Sequence, residues 1–124
     1  MAAAAQDLAS LFVPPNGKGH EMTMNERGVP VVIVWNSVEN GGKAMLPCRC
    51  DYYVNTAVIA RGHYQGSSWS LVLYIENNAG EGDCRIGRGF ARCLVSEAPP
   101  FLLTSGHFMT VYEGGRCVGE LYVQ

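Results

Sequence analysis

The sequence predicts a single all-β domain, either a sandwich or a closed barrel, and three observations predict it. Residues 69–76 alternate: Trp69, Leu71, Leu73 and Ile75 fall on one side, and Ser70, Val72, Tyr74 and Glu76 on the other. This is the period-two pattern of a half-buried strand, with the tryptophan side inward. Short runs of β-branched and aromatic residues recur along the chain with turn signals between them. Fifteen glycines in 124 residues supply those turns, and only the extreme N-terminal region shows helical spacing.

Taken in order, residues 2–12 are alanine-rich, with Leu8, Leu11 and Phe12 at near-helical spacing. A short helix and a frayed tail suit this segment equally, because a helix so short is marginal alone. Pro14-Pro15 ends it, and residues 16–28 read as an exposed linker, so 1–28 is an N-terminal extension and 29–124 the domain. Val29 to Trp35 is apolar apart from its proline and reads as a buried strand, followed by a turn at Asn40-Gly41-Gly42. Residues 51–61 read as the next strand, with Tyr52, Val54, Thr56 and Val58 on one side. After a turn over 62–68 comes the alternating strand, then a flexible loop over 77–82.

Residues 84–95 read as a long strand, kinked at Gly87 or Gly89. Ala91, Cys93 and Val95 point inward, and Arg88, Phe90 and Arg92 outward. Pro99-Pro100 breaks the chain before 101–103. The last nineteen residues form a hairpin about Gly114-Gly115, since glycines accept the positive φ of a primed turn. Cys117, Gly119, Leu121 and Val123 share one face of its second strand. Gly119 is read as a place where another strand passes close by.

The composition is that of an ordinary globular domain, 48% hydrophobic and 16% charged, with a formal net charge of −2. Nonspecific nucleic-acid binding draws on neutralised phosphates, so this charge disfavours it outside a local basic patch. No segment approaches the ~20 apolar residues that span a bilayer as a helix, and no membrane association is expected. The five cysteines lack zinc-ligand spacing, since Cys48 and Cys50 are one residue apart, and no secretory signal is visible. Free thiols in a reducing, cytoplasmic setting are the expectation.

No catalytic constellation is recognised. His20, His63 and His107 lie in or beside loops at no metal-ligand spacing, and Gly17-Lys18-Gly19 lacks the rest of a phosphate loop. Cys48, next to Arg49, is the best thiol nucleophile, and a cysteine-dependent enzyme with His63 or His107 as base is the least favoured alternative. Neither metal nor cofactor is expected. Arg85, Arg88 and Arg92 give the densest positive segment, and two of them share a face with Phe90, a combination that suits base stacking and phosphate contact.

The chain also carries a family resemblance. Glu113-Gly114-Gly115-Arg116-Cys117-Val118-Gly119 is similar to the Glu-Gly-Gly-Arg-Thr-Val-Gly signature near the C-terminus of elongation factor Tu. Pro100, Gly106 and Gly114 resemble the family's spacing before that signature. Gly41-Gly42-Lys43, Pro47 and Tyr52-Tyr53-Val54-Asn55-Thr56 resemble its Gly-Gly-Arg…Pro…Phe-Tyr-Phe-Arg-Thr run. The resemblance covers residues 29–124 and implies the third domain of such factors standing without its GTPase domain. That domain is a six-stranded antiparallel Greek-key-like barrel that contacts the T-stem side of aminoacyl-tRNA and packs against partner proteins. Gly114 matches the place where the family's backbone approaches tRNA, and Lys43 and Thr56 match the other edge segment. Two features depart from the pattern: the family's Gly-Tyr-Arg-Pro element is missing, and Asn55 stands where the family has a basic residue before the threonine. The resulting expectation is a non-catalytic module that binds a protein partner, with RNA binding as the alternative and homo-oligomerisation through an apolar edge as a further outcome. The candidate contact residues are Lys43, Thr56, Arg85, Arg88, Phe90, Arg92, Gly114 and Arg116.

Overall fold

A computed structural model describes residues 26–124. The helix-or-tail question for residues 2–12, the linker over 16–25 and His20 therefore lie outside the described residues. Within them the chain is all-β. Six strands, β1 (Val29–Trp35), β2 (Asp51–Thr56), β3 (Ser70–Ala79), β4 (Arg85–Cys93), β5 (Phe108–Glu113) and β6 (Arg116–Val123), close into a barrel in the order β1-β4-β3-β2-β5-β6. Every pairing is antiparallel, and β6 returns to β1 to complete the ring. The strands β2, β3 and β4 form a meander and β1 lies beside β4, which is a Greek-key connection. Three short 3₁₀ turns, at Val38–Asn40, Gly62–Tyr64 and Pro100–Leu103, sit in the connections. No helix among the described residues is long and apolar enough to cross a membrane.

The core follows the alternation. Val31, Ile33 and Trp35 of β1 meet Leu71, Leu73 and Ile75 of β3, Ala91 of β4, Val111 of β5 and Leu121 and Val123 of β6 inside the ring. Leu102 of the Pro100–Leu103 turn closes one end. Gly119 has the role expected of it: a Cβ there would stand 2.4 Å from the carbonyl oxygen of Val34 on β1. The barrel can be drawn tight at that seam because the residue has no side chain.

The structure differs from the expected elements where bulges intervene. β3 runs on to Ala79, past the expected loop start at 77, because Glu76 is an extra residue between Ile75 and Asn77. In β6, Val118 is the extra residue between Cys117, opposite Tyr112, and Gly119, opposite Val111. The bulge turns Val118 into the core, although strict alternation would have placed it outside. β2 ends at Thr56 rather than at 61, so Val58 leaves the core face and is 66% exposed. β4 ends at Cys93, and Val95 is exposed in the following loop rather than inward. In the Gly114-Gly115 turn, Gly114 alone takes a positive φ, +60°.

Candidate functional site

Each strand has one terminus at each end of the barrel, so the loops fall into two groups. Residues 36–50, 80–84 and the Gly114-Gly115 turn gather at one end, called here the hairpin end. Residues 57–69 and 94–107 gather at the other.

At the hairpin end the long connection 36–50 is pinned by polar side chains. Arg85 opens β4 with the same inward parity as Gly87, Gly89 and Ala91. The residue is 8% exposed, and its guanidinium donates to the carbonyl oxygens of Lys43, at 2.7 Å, and of Asn36. Trp35 Nε1 donates to Asn78 Oδ1 at 2.7 Å, and Asn78 Nδ2 donates to the carbonyl of Pro47 at 3.0 Å. These contacts hold the chain on both sides of Lys43. The Lys43 ammonium lies 2.9 Å from the Glu113 carboxylate and 5.5 Å from the centre of the Tyr52 ring. The Tyr52 hydroxyl donates to the same carboxylate at 2.8 Å.

The electrostatics follow from this geometry. Hydrogen bonds from Lys43 and then Tyr52 hold the Glu113 carboxyl below its usual range. Burial, followed by the Glu113 hydrogen bond and charge, pushes the Tyr52 phenol well above its ordinary value. Tyr52 therefore stays a neutral donor, and Glu113 an ionised acceptor, across the neutral range. The arrangement anchors the loop to the hairpin. It presents neither a nucleophile nor a free base.

Beside the hairpin, β2 and β5 pair through only Asn55↔Tyr112 and Thr56↔Val111, the shortest seam in the barrel. A shallow groove of 340 Å³ follows that seam, lined by Asn55, Thr56, Val58, Tyr112, Gly114 and Gly115. A Cβ added at Gly114 or Gly115 would meet nothing within 4 Å, so the turn backbone stands open. Val58 and Tyr53 (58% exposed) are large apolar groups on the surface of the same strand and its continuation. A second depression, of 590 Å³, lies above Arg85 between Glu39, Glu81 and Asp83.

The structure brings four of the eight candidate residues to one region and separates the others. Lys43, Thr56, Gly114 and Arg116 surround the hairpin and its groove. Arg116 is exposed opposite Glu113 in the register. Thr56 is buried, and its hydroxyl is committed locally, donating to the carbonyl of Ala57 at 2.9 Å and accepting from Trp69 N at 3.0 Å. The arginine segment of β4 is divided. Arg85 points into the barrel end, while Arg88, Phe90 and Arg92 point outward as expected. Arg92 sits 3.6 Å from the Asp51 carboxylate, and Phe90 is covered, only 4% exposed. Arg88 remains as a half-exposed cation.

The cysteine alternative meets a separation of a different kind. Cys48 is exposed at the hairpin end, with Sγ 3.4 Å from the carbonyl oxygen of Glu76, whereas His63 and His107 belong to the opposite end. The residues that sequence reasoning missed are Tyr52, Asn78 and Glu113 as anchors and Val58 as a surface group. The Tyr52–Glu113 bond joins residues 61 apart and the Trp35–Asn78 bond residues 43 apart, so no local pattern signals either.

Comparison of the chain with protein-family models, with characterised proteins and with solved structures finds no match.

Proposed function

We propose that this chain is a non-catalytic β-barrel binding module, similar in role to the third domain of elongation factor Tu, and that its ligand is a protein. The groove at the β2–β5 seam is the contact surface. The observation that carries this reading is the open Gly114-Gly115 backbone in one groove with exposed Val58, with Tyr53 exposed on the same strand β2 that borders the groove. Apolar groups beside unobstructed peptide groups suit a protein surface, which supplies both apolar area and hydrogen-bond partners.

The charges favour the same choice over RNA. Of the five candidate cations, Lys43 is paired with Glu113, Arg92 with Asp51, and Arg85 is buried on carbonyls. Arg88 and Arg116 are left to meet phosphates. A cytoplasmic setting accords with the unpaired thiols assigned to all five cysteines.

The test compares the wild-type chain with Val58→Asp and Tyr53→Ser combined, two surface changes expected to alter stability by less than ~0.5 kcal/mol each. Affinity capture followed by mass spectrometry should retain a protein on the wild type and lose it on the variant, with equal Tm for the two. The chain should bind tRNA no more tightly than ~10 μM at physiological salt, the level of a nonspecific encounter. A salt-sensitive nanomolar complex with tRNA, weakened by replacing Arg88 and Arg116, would overturn the protein reading in favour of RNA.

A further inference from the structure

The hairpin end carries a second concavity, the 590 Å³ depression above Arg85. Its volume falls within the ~300–1,000 Å³ of ligand sites. It opens between the turn that follows β1 and the connection from β3 to β4, where Trp35 and Arg85 are paired in the register. In the ring the β1–β4 seam is opposite the β2–β5 seam, so the depression is separate from the groove. Val38, Glu39, Glu81, Gly82, Asp83 and Arg85 line it.

Arg85 is an unusual buried charge. Buried charges ordinarily have an opposite charge beside them. Arg85 is 8% exposed and makes no ion pair among the described residues. Two of its N–H groups go to the carbonyls of Lys43 and Asn36, and the buried Nε–H has no acceptor among the described residues. A charged donor left unmade inside a protein costs more than a neutral one. Glu39, Glu81 and Asp83 line the same depression, are exposed, and make no ion pair among the described residues either. One cavity therefore joins a buried cationic donor that lacks an acceptor to three carboxylates that lack a cation.

The arrangement selects a class of ligand. Among the described residues no three acidic, cysteine or histidine side chains converge closely enough to hold a metal ion, so the carboxylates suit a larger, organic cation. Three carboxylates against one guanidinium leave the depression net negative, which disfavours phosphate-bearing ligands. Val38, 55% exposed, offers apolar surface to a methylene stem. At the lip, a Cβ added to Gly82 would meet nothing within 4 Å, so the backbone there is open to a neighbouring chain. Arg85 calls for an acceptor on the same ligand. A cationic head, an apolar stem and an adjacent carbonyl together describe a lysine or arginine residue within a peptide.

We infer that this depression is a binding site for a basic residue, lysine or arginine, carried on a peptide segment. The cationic head sits among Glu39, Glu81 and Asp83, its stem lies on Val38, and a carbonyl of the peptide accepts from the Arg85 guanidinium. The site does not depend on the β2–β5 groove and stands whether or not that groove binds a protein.

Heteronuclear NMR titration of the full chain tests this. With acetyl-Gly-Lys-Gly-amide or its arginine counterpart, saturable shifts are expected at the amides of Val38, Glu39, Glu81 and Asp83, together with a shift of the Arg85 Nε–H signal. The neutral peptide acetyl-Gly-Gln-Gly-amide should cause no saturable shift, a comparison that uses the unmodified chain. The combined Glu39→Gln, Glu81→Gln and Asp83→Asn variant should bind the basic peptides about tenfold more weakly, the joint effect of several exposed charge contacts. Spermidine supplies cations without a carbonyl. If it bound as tightly as the lysine peptide and left the Arg85 Nε–H signal unmoved, the site would belong to polyamines and the inference would be overturned. It would be overturned as well by the absence of saturable shifts with both basic peptides, by shifts confined to Tyr53 and Gly114, by equal binding of the glutamine peptide, or by unchanged affinity in the variant.

Discussion

The two ends of the barrel are closed by different physics. At the hairpin end the loops are held by polar side chains that reach backbone carbonyls: Arg85 to Lys43 and Asn36, and Asn78 to Pro47. At the far end the loops are held by rings. Tyr64 packs edge-on against both Trp69 and Phe101, Phe101 against His107, and the Arg61 guanidinium lies 4.2 Å over the Phe101 ring. The two tryptophans make the contrast concrete. Trp35 Nε1 at the hairpin end donates to Asn78, whereas Trp69 Nε1 at the far end is buried without a partner among the described residues. Directional bonds fix a long loop in one position, and stacked rings fill volume with less demand on orientation. The groove runs along the β2–β5 seam from the Gly114-Gly115 turn of the hairpin end to Val58 of the far-end loop, so each kind of closure supports one of its margins.

The largest expected difference lies between the two arginines. Arg85→Ala removes two charge-assisted hydrogen bonds and leaves the carbonyls of Lys43 and Asn36 without that donor. With such bonds contributing ~1.5–3 kcal/mol, the loss should be about 3 kcal/mol in urea unfolding. Arg61 is exposed, and Arg61→Ala should cost under ~1 kcal/mol, the range of a solvent-facing cation over a ring. Equal costs would show that the two ends are held alike.

The tryptophans give the next contrast. Trp35→Phe leaves Asn78 Oδ1 without its donor and opens space in a fully buried site, so a loss of about 2 kcal/mol is expected. Trp69→Phe removes an indole N–H that has no partner among the described residues and a smaller buried volume. The cost should be under ~1 kcal/mol, because losing the orphan donor offsets part of the lost packing. A Trp69→Phe cost above that of Trp35→Phe would mean that Trp69 Nε1 is satisfied in solution and would remove the contrast.

What could be read in the sequence divides along the same line. The strand cores were legible because a period of two survives in Leu71, Leu73, Ile75 and Ala91, and local alternation reports burial directly. The bulges at Glu76 and Val118 were not, since an extra residue in one strand is defined only by its partner strand. Val58 continued the alternation of β2 on paper, but the sheet ends two residues earlier. The site was legible in pieces. Lys43, Gly114 and Arg116 were named by resemblance and do converge, whereas the Tyr52–Glu113–Lys43 cluster depends on contacts across the closed ring. Arg85 was grouped with Arg88 and Arg92 by proximity along the chain. Its odd position in the strand sends it inward, away from them, to bind the carbonyls of a loop 42 and 49 residues upstream.

The smallest expected effect is on the pH dependence of stability, and it distinguishes the ends by where on the scale each weakens. At the far end, burial and then the Arg61 charge hold the His107 imidazole below its ordinary value of 6.5. The folded chain then resists a proton that the unfolded chain accepts. Its contribution is intact above about pH 6.5 and is lost as pH falls from there toward the lowered folded value. At the hairpin end Glu113 is likewise held below its ordinary 4.5, by Lys43 and Tyr52. Its contribution is intact above that value and is lost only as pH falls through the lower folded one. The two windows open at different points, the first near pH 6.5 and the second near pH 4.5. His107→Gln should therefore flatten the unfolding free energy just below pH 6.5 relative to wild type, a range in which Glu113 is ionised in both states and adds no slope. Glu113→Gln should leave that range unchanged and flatten the curve only below pH 4.5, and weakly, because its side chain is 44% exposed and screened by solvent. Differences taken against wild type cancel the other titrating groups. If Glu113→Gln rather than His107→Gln changed the slope just below pH 6.5, the assignment of the near-neutral window to the aromatic end would fall.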